Sequence, residues 1–193
     1  MGVSANYAMN RNRNTVHLYF QDSDGLSDWK RNLDFPAKPY KRQDDGIWFC
    51  HRGFLRAWRE LEPVIAPVVA DKSIKRMVIT GYSHGAAIAV LCHEYVWFHR
   101  PDLRERLEGY GFGCPRVIWG PMPEDVKRRW QTFTVIRNLD DLVTHLPPAL
   151  WGFRHVGAML SIGKRGRYSP VSAHLAKNYL KELAGYEIHP KTG

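Results

Sequence analysis

The spacing of apolar positions changes several times along the chain, and each change marks an expected element. Thr15 to Phe20 alternates and reads as a first strand. In the loop-rich stretch that follows, Leu26, Trp29 and Leu33 fall on one helical face and predict a short helix over 24–33. Gly46 to Cys50 is short and apolar. Phe54, Leu55, Trp58 and Leu61 share a face and predict a helix over 54–61. Pro63 suits the first turn of a second helix, which Pro67 would kink or end. Ile74 to Thr80 ends in Val78-Ile79-Thr80 and reads as a buried strand. A long apolar helix over 86–99 follows and stops near Pro101. Tyr110 to Cys114 reads as a strand, Pro123 to Trp130 as a helix, Gln131 to Asn138 as a strand and Ala173 to Leu183 as a last helix. This alternation predicts an α/β fold: a mostly parallel central sheet with helices on both faces.

Length and composition bound the function. At 193 residues the chain fits one domain over 1–193 and can bury a core without disulfides. Its three cysteines, Cys50, Cys92 and Cys114, are odd in number and far apart, unlike a disulfide framework or a metal site. The net charge of +9 favours anionic partners, among them nucleic acid and anionic lipid surfaces. No zinc-finger spacing or groove-entering basic helix supports nucleic acid, so none is expected as a partner. The basic residues are scattered, with small clusters at 127–129 and 164–167. The polar start, residues 1–14, has no apolar leader, and no stretch is long enough to span a membrane. The expectation from these features is a cytoplasmic protein.

One motif carries chemistry. Gly81-Tyr82-Ser83-His84-Gly85 sits between the strand ending at Thr80 and the helix starting at Ala86. A serine on such a turn needs neighbours without bulk, which Gly81 and Gly85 supply. The helix start then aims backbone N–H groups at the reacting centre, and the amide of His84 is an expected oxyanion donor. A serine hydroxyl also needs a base, usually a histidine oriented by a carboxylate. Asp140 and Asp141 both follow a strand end, and nine histidines compete for the base.

Five blocks in order resemble the class 3 lipase family, the fungal-lipase-like branch of the α/β-hydrolases. Phe20-Gln21-Asp22-Ser23 with Asp28-Trp29 and Asn32-Leu33 is similar to its FRG[ST] segment and DW…NL tail. His51-Arg52-Gly53-Phe54-Leu55 is similar to H-x-GF, and the turn at Ser83 is the third block. Gly111 to Val117 resembles FGSPRVG. Asp141 to Pro148 resembles DxVPxLPP, followed by a GFxHxG block at 152–157. The resemblance implies a serine hydrolase acting on lipid or small carboxylic esters through an acyl-enzyme on Ser83. It implies Asp141 as the acid, with Asp140 as the fallback, and His174 as the base. His155, in the GFxHxG block, corresponds to a structural histidine. Ser23 matches the second oxyanion donor. The chemistry asks for no metal or cofactor.

Departures from the family pattern bear on rate and substrate. Its G-H-S-L-G-G turn carries Tyr82, His84 and Ala86 here, and Gln21-Asp22 stand where it has Arg-Gly. Residues 24–35 match the lid of the fungal relatives, with Leu26, Trp29, Leu33 and Phe35 as its apolar side. Together with the basic charge, this implies transient contact with an anionic lipid interface. An acyltransferase with the same triad, and a catalytically silent binding protein on the same fold, remain open alternatives.

Overall fold

The structure is a computed structural model, and it describes residues 5–22, 37–42 and 45–185. The expected helix over 24–33 and Ser23 lie outside the described residues.

Six strands form the main sheet: β1 (Ala5–Asn12), β2 (Thr15–Asp22), β5 (Arg76–Tyr82), β6 (Leu107–Phe112), β8 (Phe133–Asn138) and β10 (Ala158–Ile162). Their order is β1-β2-β5-β6-β8-β10. Only β1 runs antiparallel to its neighbour; the other pairings are parallel. Four short strands make a second, antiparallel sheet in the order β3-β4-β7-β9: β3 (Ala37–Arg42), β4 (Asp45–His51), β7 (Ile118–Trp119) and β9 (Phe153–Arg154).

Two helices cover one face of the main sheet. Helix α2 (His84–His99) lies directly on it and is buried nearly all round, as its apolar sequence requires. Helix α1 (Arg52–Ala70) packs against α2. The opposite face is covered near β8 and β10 by α5 (Ala176–Leu183), whose Tyr179 packs with Ile136 and Ile162. One-turn helices α3 (Glu124–Lys127) and α4 (Pro170–Ala173) complete the elements used below. This is the α/β-hydrolase architecture that the alternation implied.

The structure corrects several boundaries. Pro63 and Pro67 do not divide α1, which runs unbroken for 19 residues. Both prolines lie exposed on its outer side, while Phe54, Trp58, Leu61, Ile65 and Val69 hold the inner stripe. The hydrogen bonds lost to proline therefore fall on the side where water can replace them. The expected helix over 123–130 is one α-turn followed by a 3-10 turn over Arg128–Trp130. The last helix is two, α4 and α5, with His174 and Leu175 between them.

Arg100 ties the edge of this core together. Its buried guanidinium donates to the carbonyls of Val69, Asp71 and Ile74 and pairs with Asp102. One side chain thus closes the end of α1 onto the entry to β5. His93 is the buried counterpart on α2. Its Nε2 meets the Thr132 hydroxyl at 3.2 Å, and burial lowers its pKa from 6.5 to about 3. Burial also lowers His155 and His51 to about 4, His51 with help from the charge of His84. These groups are neutral when folded and bind protons near 6.5 when unfolded. Stability is therefore present above 6.5 and declines as pH falls toward 4. The thermal midpoint should fall across that window, and His93→Gln should flatten part of the slope. Parallel profiles for the two proteins would overturn the assignment to His93.

Candidate active site

The turn after β5 is built by close approach. An added Cβ on Gly81 would lie 2.3 Å from the Gly85 carbonyl oxygen, and one on Gly85 would lie 2.2 Å from that of Phe20. Neither position can carry a side chain without moving backbone. Between them Ser83 takes φ 57°, a left-handed conformation that a serine rarely adopts. Its amide donates to Phe112 of β6 at 2.9 Å, which anchors the turn to the sheet. The outcome is a serine lifted off the carboxyl end of the sheet at the first turn of α2, where strand ends and a helix N-terminus converge.

His174 and Asp141 meet it there. His174 Nε2 is 2.8 Å from Ser83 Oγ, and Nδ1 is 2.8 Å from Asp141 Oδ2. His174 and Asp141 are wholly buried, and Ser83 nearly so. An ionised carboxylate only accepts, so Nδ1 carries the ring proton and Nε2 presents its lone pair to the serine hydroxyl. Asp141 is held from other directions too. Its Oδ1 accepts from the Val143 amide at 2.8 Å, and its Oδ2 from the Tyr179 hydroxyl at 2.5 Å. Together these bonds fix the plane of the carboxylate.

Asp140, the other candidate, points elsewhere. Its carboxylate accepts from the amides of Gly166, Arg167 and Tyr168, and those bonds hold its pKa below the usual carboxylate range. It pins the loop that leads to α4 and does not approach His174 through any of these bonds. His155 bonds the Thr144 carbonyl at 2.8 Å, a structural contact. His189 lies outside the described residues. His84 starts α2 with its ring buried 5.4 Å from Phe54, and His51 caps α1 by accepting from the amides of Gly53 and Phe54. Ser23, the expected second oxyanion donor, and the lid match over 24–35 lie outside the described residues.

Sequence reasoning missed two members of the site. Tyr179 sits five residues after the expected base, one turn into the last helix, and nothing in its spacing distinguished it from core. Gly113 was inside a quoted block, but its reason was hidden. It has φ 57°, and a Cβ there would stand 2.8 Å from His174 Cε1 and 3.2 Å from Asp141 Oδ2. The three buried cysteines are free, and burial pushes each thiol up, so none is a reactive nucleophile. Among the described residues no group of acidic, His and Cys side chains could hold a metal ion, and no helix is long and apolar enough to cross a membrane.

A buried serine, aspartate and histidine in this chain order, with the serine on a strand-to-helix turn of this sheet, define a serine-hydrolase type of α/β fold. The family model for class 3 lipases matches residues 17–151, and the chain belongs to that family. It is 28% identical to a lipase of Rhizomucor miehei over 80% of this chain and 44% of the relative. It is 30% identical to the secreted mono- and diacylglycerol lipase 1 of Fusarium solani over 80% of this chain and 46% of that one. A solved triacylglycerol lipase described as having a serine-protease triad superposes with a TM-score of 0.70 at 28% identity, covering 83% of this chain and 62% of its own. The chain spans about half the length of the curated relatives it matches.

These relatives overturn the cytoplasmic expectation. The Fusarium enzyme is secreted, and the Rhizomucor lipase has been solved in complex with its propeptide, so the kinship points to a secretory setting. The polar start that suggested otherwise is largely the edge strand β1, paired along its length with β2. Its polarity reflects an edge position in the sheet and bears on no targeting signal.

Gly113→Ala should break the contact between His174 and Asp141 while leaving the rest of the core alone. The check is the downfield proton resonance of the His174 Nδ1–H bond, which should vanish or move. An unchanged resonance would show that the cradle tolerates a Cβ.

Proposed function

We propose that the protein is a carboxylic ester hydrolase that works through an acyl-enzyme on Ser83. The observation that carries this reading is the unbroken chain from Ser83 Oγ through His174 to Asp141, buried and ending on a strained turn. His174 takes the serine proton as Oγ attacks the ester carbonyl. Asp141 stabilises the imidazolium that results. The tetrahedral oxyanion is met by the backbone N–H of His84, first in α2, and by Ser23, whose role rests on its place in the sequence. His174 then hands its proton to the leaving alcohol. Water repeats the sequence in reverse to release the acid.

The substrate we infer is a lipid or small ester with an apolar acyl chain. Leu142 and Leu175 adjoin the acid and the base in sequence, and with Val171 they stay substantially exposed beside them. Exposed apolar side chains next in sequence to the acid and the base suit an acyl chain or a lipid surface better than a charged substrate. The kinship with acylglycerol lipases and their secretory setting supports the same class and the same setting here.

Ser83→Ala should lower hydrolysis of p-nitrophenyl esters by about 10⁴-fold or more with no loss of fold, and a fluorophosphonate should label Ser83 alone. Near-wild-type turnover in the variant would remove the assignment. Asp141→Asn should cost about 10⁴-fold, since an amide cannot stabilise the imidazolium or hold its tautomer. Asp140→Asn should cost less than about tenfold, because it loosens a loop and leaves the reacting groups in place. The reverse ranking would move the acid to Asp140.

Contact with an anionic interface is a further part of the proposal, supported by the net charge of +9 and the basic run Lys164-Arg165-Gly166-Arg167 on the loop before α4. Hydrolysis on anionic vesicles should exceed that on zwitterionic ones at low salt. The advantage should shrink above about 0.1 M salt, where exposed charges are screened over about 10 Å, and Lys164→Glu should reduce it. Equal rates on both vesicle types at low salt would show that the charge serves solubility only.

A further inference from the structure

Three consecutive backbone carbonyls, two at the end of α4 and that of His174 just after it, each accept a hydrogen bond from a side chain. Asn178 of α5 donates to the Ser172 carbonyl at 2.7 Å. Asn138, at the end of β8, donates to that of Ala173 at 3.1 Å. The hydroxyl of Tyr82 donates to the carbonyl of His174 itself. Asn178 and Asn138 secure the loop to its own helix and to the sheet. Tyr82 is different, because it precedes Ser83 in the chain.

Tyr82 touches the base a second way. Its ring lies nearly parallel to the His174 imidazole, with centroids 5.3 Å apart and planes inclined by 23°. Its other neighbour is Tyr179, edge-on at 6.1 Å, and Tyr179 is the donor to Asp141. Burial and the nearby Asp141 charge push the phenol up to about 12, so it stays protonated and donating across any ordinary working range.

We propose that Tyr82 is a positioning residue that sets the distance between the base and the nucleophile; this rests on the reading of Ser83 and His174 given above. The hydrogen bond to Asp141 fixes one end of the imidazole but leaves it free to tilt about that axis. The Tyr82 ring closes one side against such a tilt. Its hydroxyl fixes the backbone from which the ring hangs. Because Tyr82 is bonded directly to Ser83, the two catalytic groups belong to one small closed circuit: Ser83, Tyr82, the His174 carbonyl and the His174 ring. Errors from a distant loop cannot accumulate between them. The family pattern has histidine at position 82, and the phenol oxygen reaches farther from its Cβ than either imidazole nitrogen does. The contact to the His174 carbonyl is therefore a property of tyrosine at this position.

The test compares the full chain with Tyr82→Phe and Tyr82→His on p-nitrophenyl butyrate. The phenylalanine variant keeps the ring and loses the donor. Its kcat should fall about three- to tenfold, the range expected for one net hydrogen bond, with KM unchanged. The rate of phosphonylation by a fluorophosphonate should fall by the same factor, while the end point still titrates every folded molecule. Using that end point to count active sites keeps the comparison valid if a variant is less stable. Tyr82→His should lose both the hydroxyl and part of the stacking, and fall further in kcat. The downfield resonance of the His174–Asp141 proton should broaden or move in both variants. Wild-type kcat in Tyr82→Phe, or a change in KM alone, would overturn the proposal. Ser83→Ala separates the two layers: if it stays active, the hydrolase reading fails first, and if it is dead while Tyr82→Phe is unimpaired, only the role of Tyr82 fails.

Discussion

The reacting end of this protein depends on one close approach: the first turn of α2 against the carbonyl of Phe20. A methyl group on Gly85 would sit 2.2 Å from that oxygen, so the approach is available only to glycine. It brings the turn that carries Ser83 to the end of β2, the point from which the chain leads to Ser23. It also forces the turn to reverse within a single residue, which puts Ser83 at φ 57°. Strain of this kind persists only where surrounding structure over-determines it. Here the Ser83 amide is bonded to β6, Gly81 abuts Gly85, and α2 is anchored by nearly complete burial. The strain is thus the consequence of packing a helix start onto two strand ends at once.

The same economy governs the polar groups. Asp141 is wholly buried, yet bonds from His174, Tyr179 and the Val143 amide satisfy it. The core treats its other buried charges alike. Glu94 meets Arg129 at 2.7 Å behind α2, and Arg100 spends its guanidinium on three carbonyls and Asp102. These pairs contribute geometry more than net stability, since desolvation offsets much of their attraction. Near the site, geometry is what the chemistry needs.

Much of this was legible in the sequence, and the reasons differ by element. α2 was readable because it is buried nearly all round and therefore apolar throughout, and β5, β6 and β8 because buried apolar positions alternate in them with half-buried ones. β1 was not, because an edge strand is free to be polar. β10 was not, because Ala158-Met159-Leu160-Ser161-Ile162 alternates weakly, with its first three residues exposed. The small antiparallel sheet escaped because two of its strands are only two residues long. The division of α1 was misread from its prolines because local propensity says nothing about which side of a helix faces water. At the site, Ser83 was legible from the glycines that its turn requires. Asp141 and His174 needed the ordered family blocks, since neither has a local signature. Tyr179 and Asn138 were invisible because their contacts join residues about forty apart.

The departures from the family's turn are informative for a related reason. Positions 82 and 84 flank Ser83 and differ from the usual histidine and leucine. A substitution next to a strained serine is tolerated only if its side chain finds a place on one of two opposite sides. Tyr82 goes toward the loop of His174, where its hydroxyl and ring are both engaged. His84 goes into the opposite layer, against Phe54 of α1, close enough to His51 that its charge disfavours protonation there. Each side chain thereby packs against its own side of the turn: one against His174, the other against the start of α1. A change at either position should therefore be read against its partner across the turn, because reverting Tyr82 to histidine without remodelling the His174 loop leaves a carbonyl without its donor.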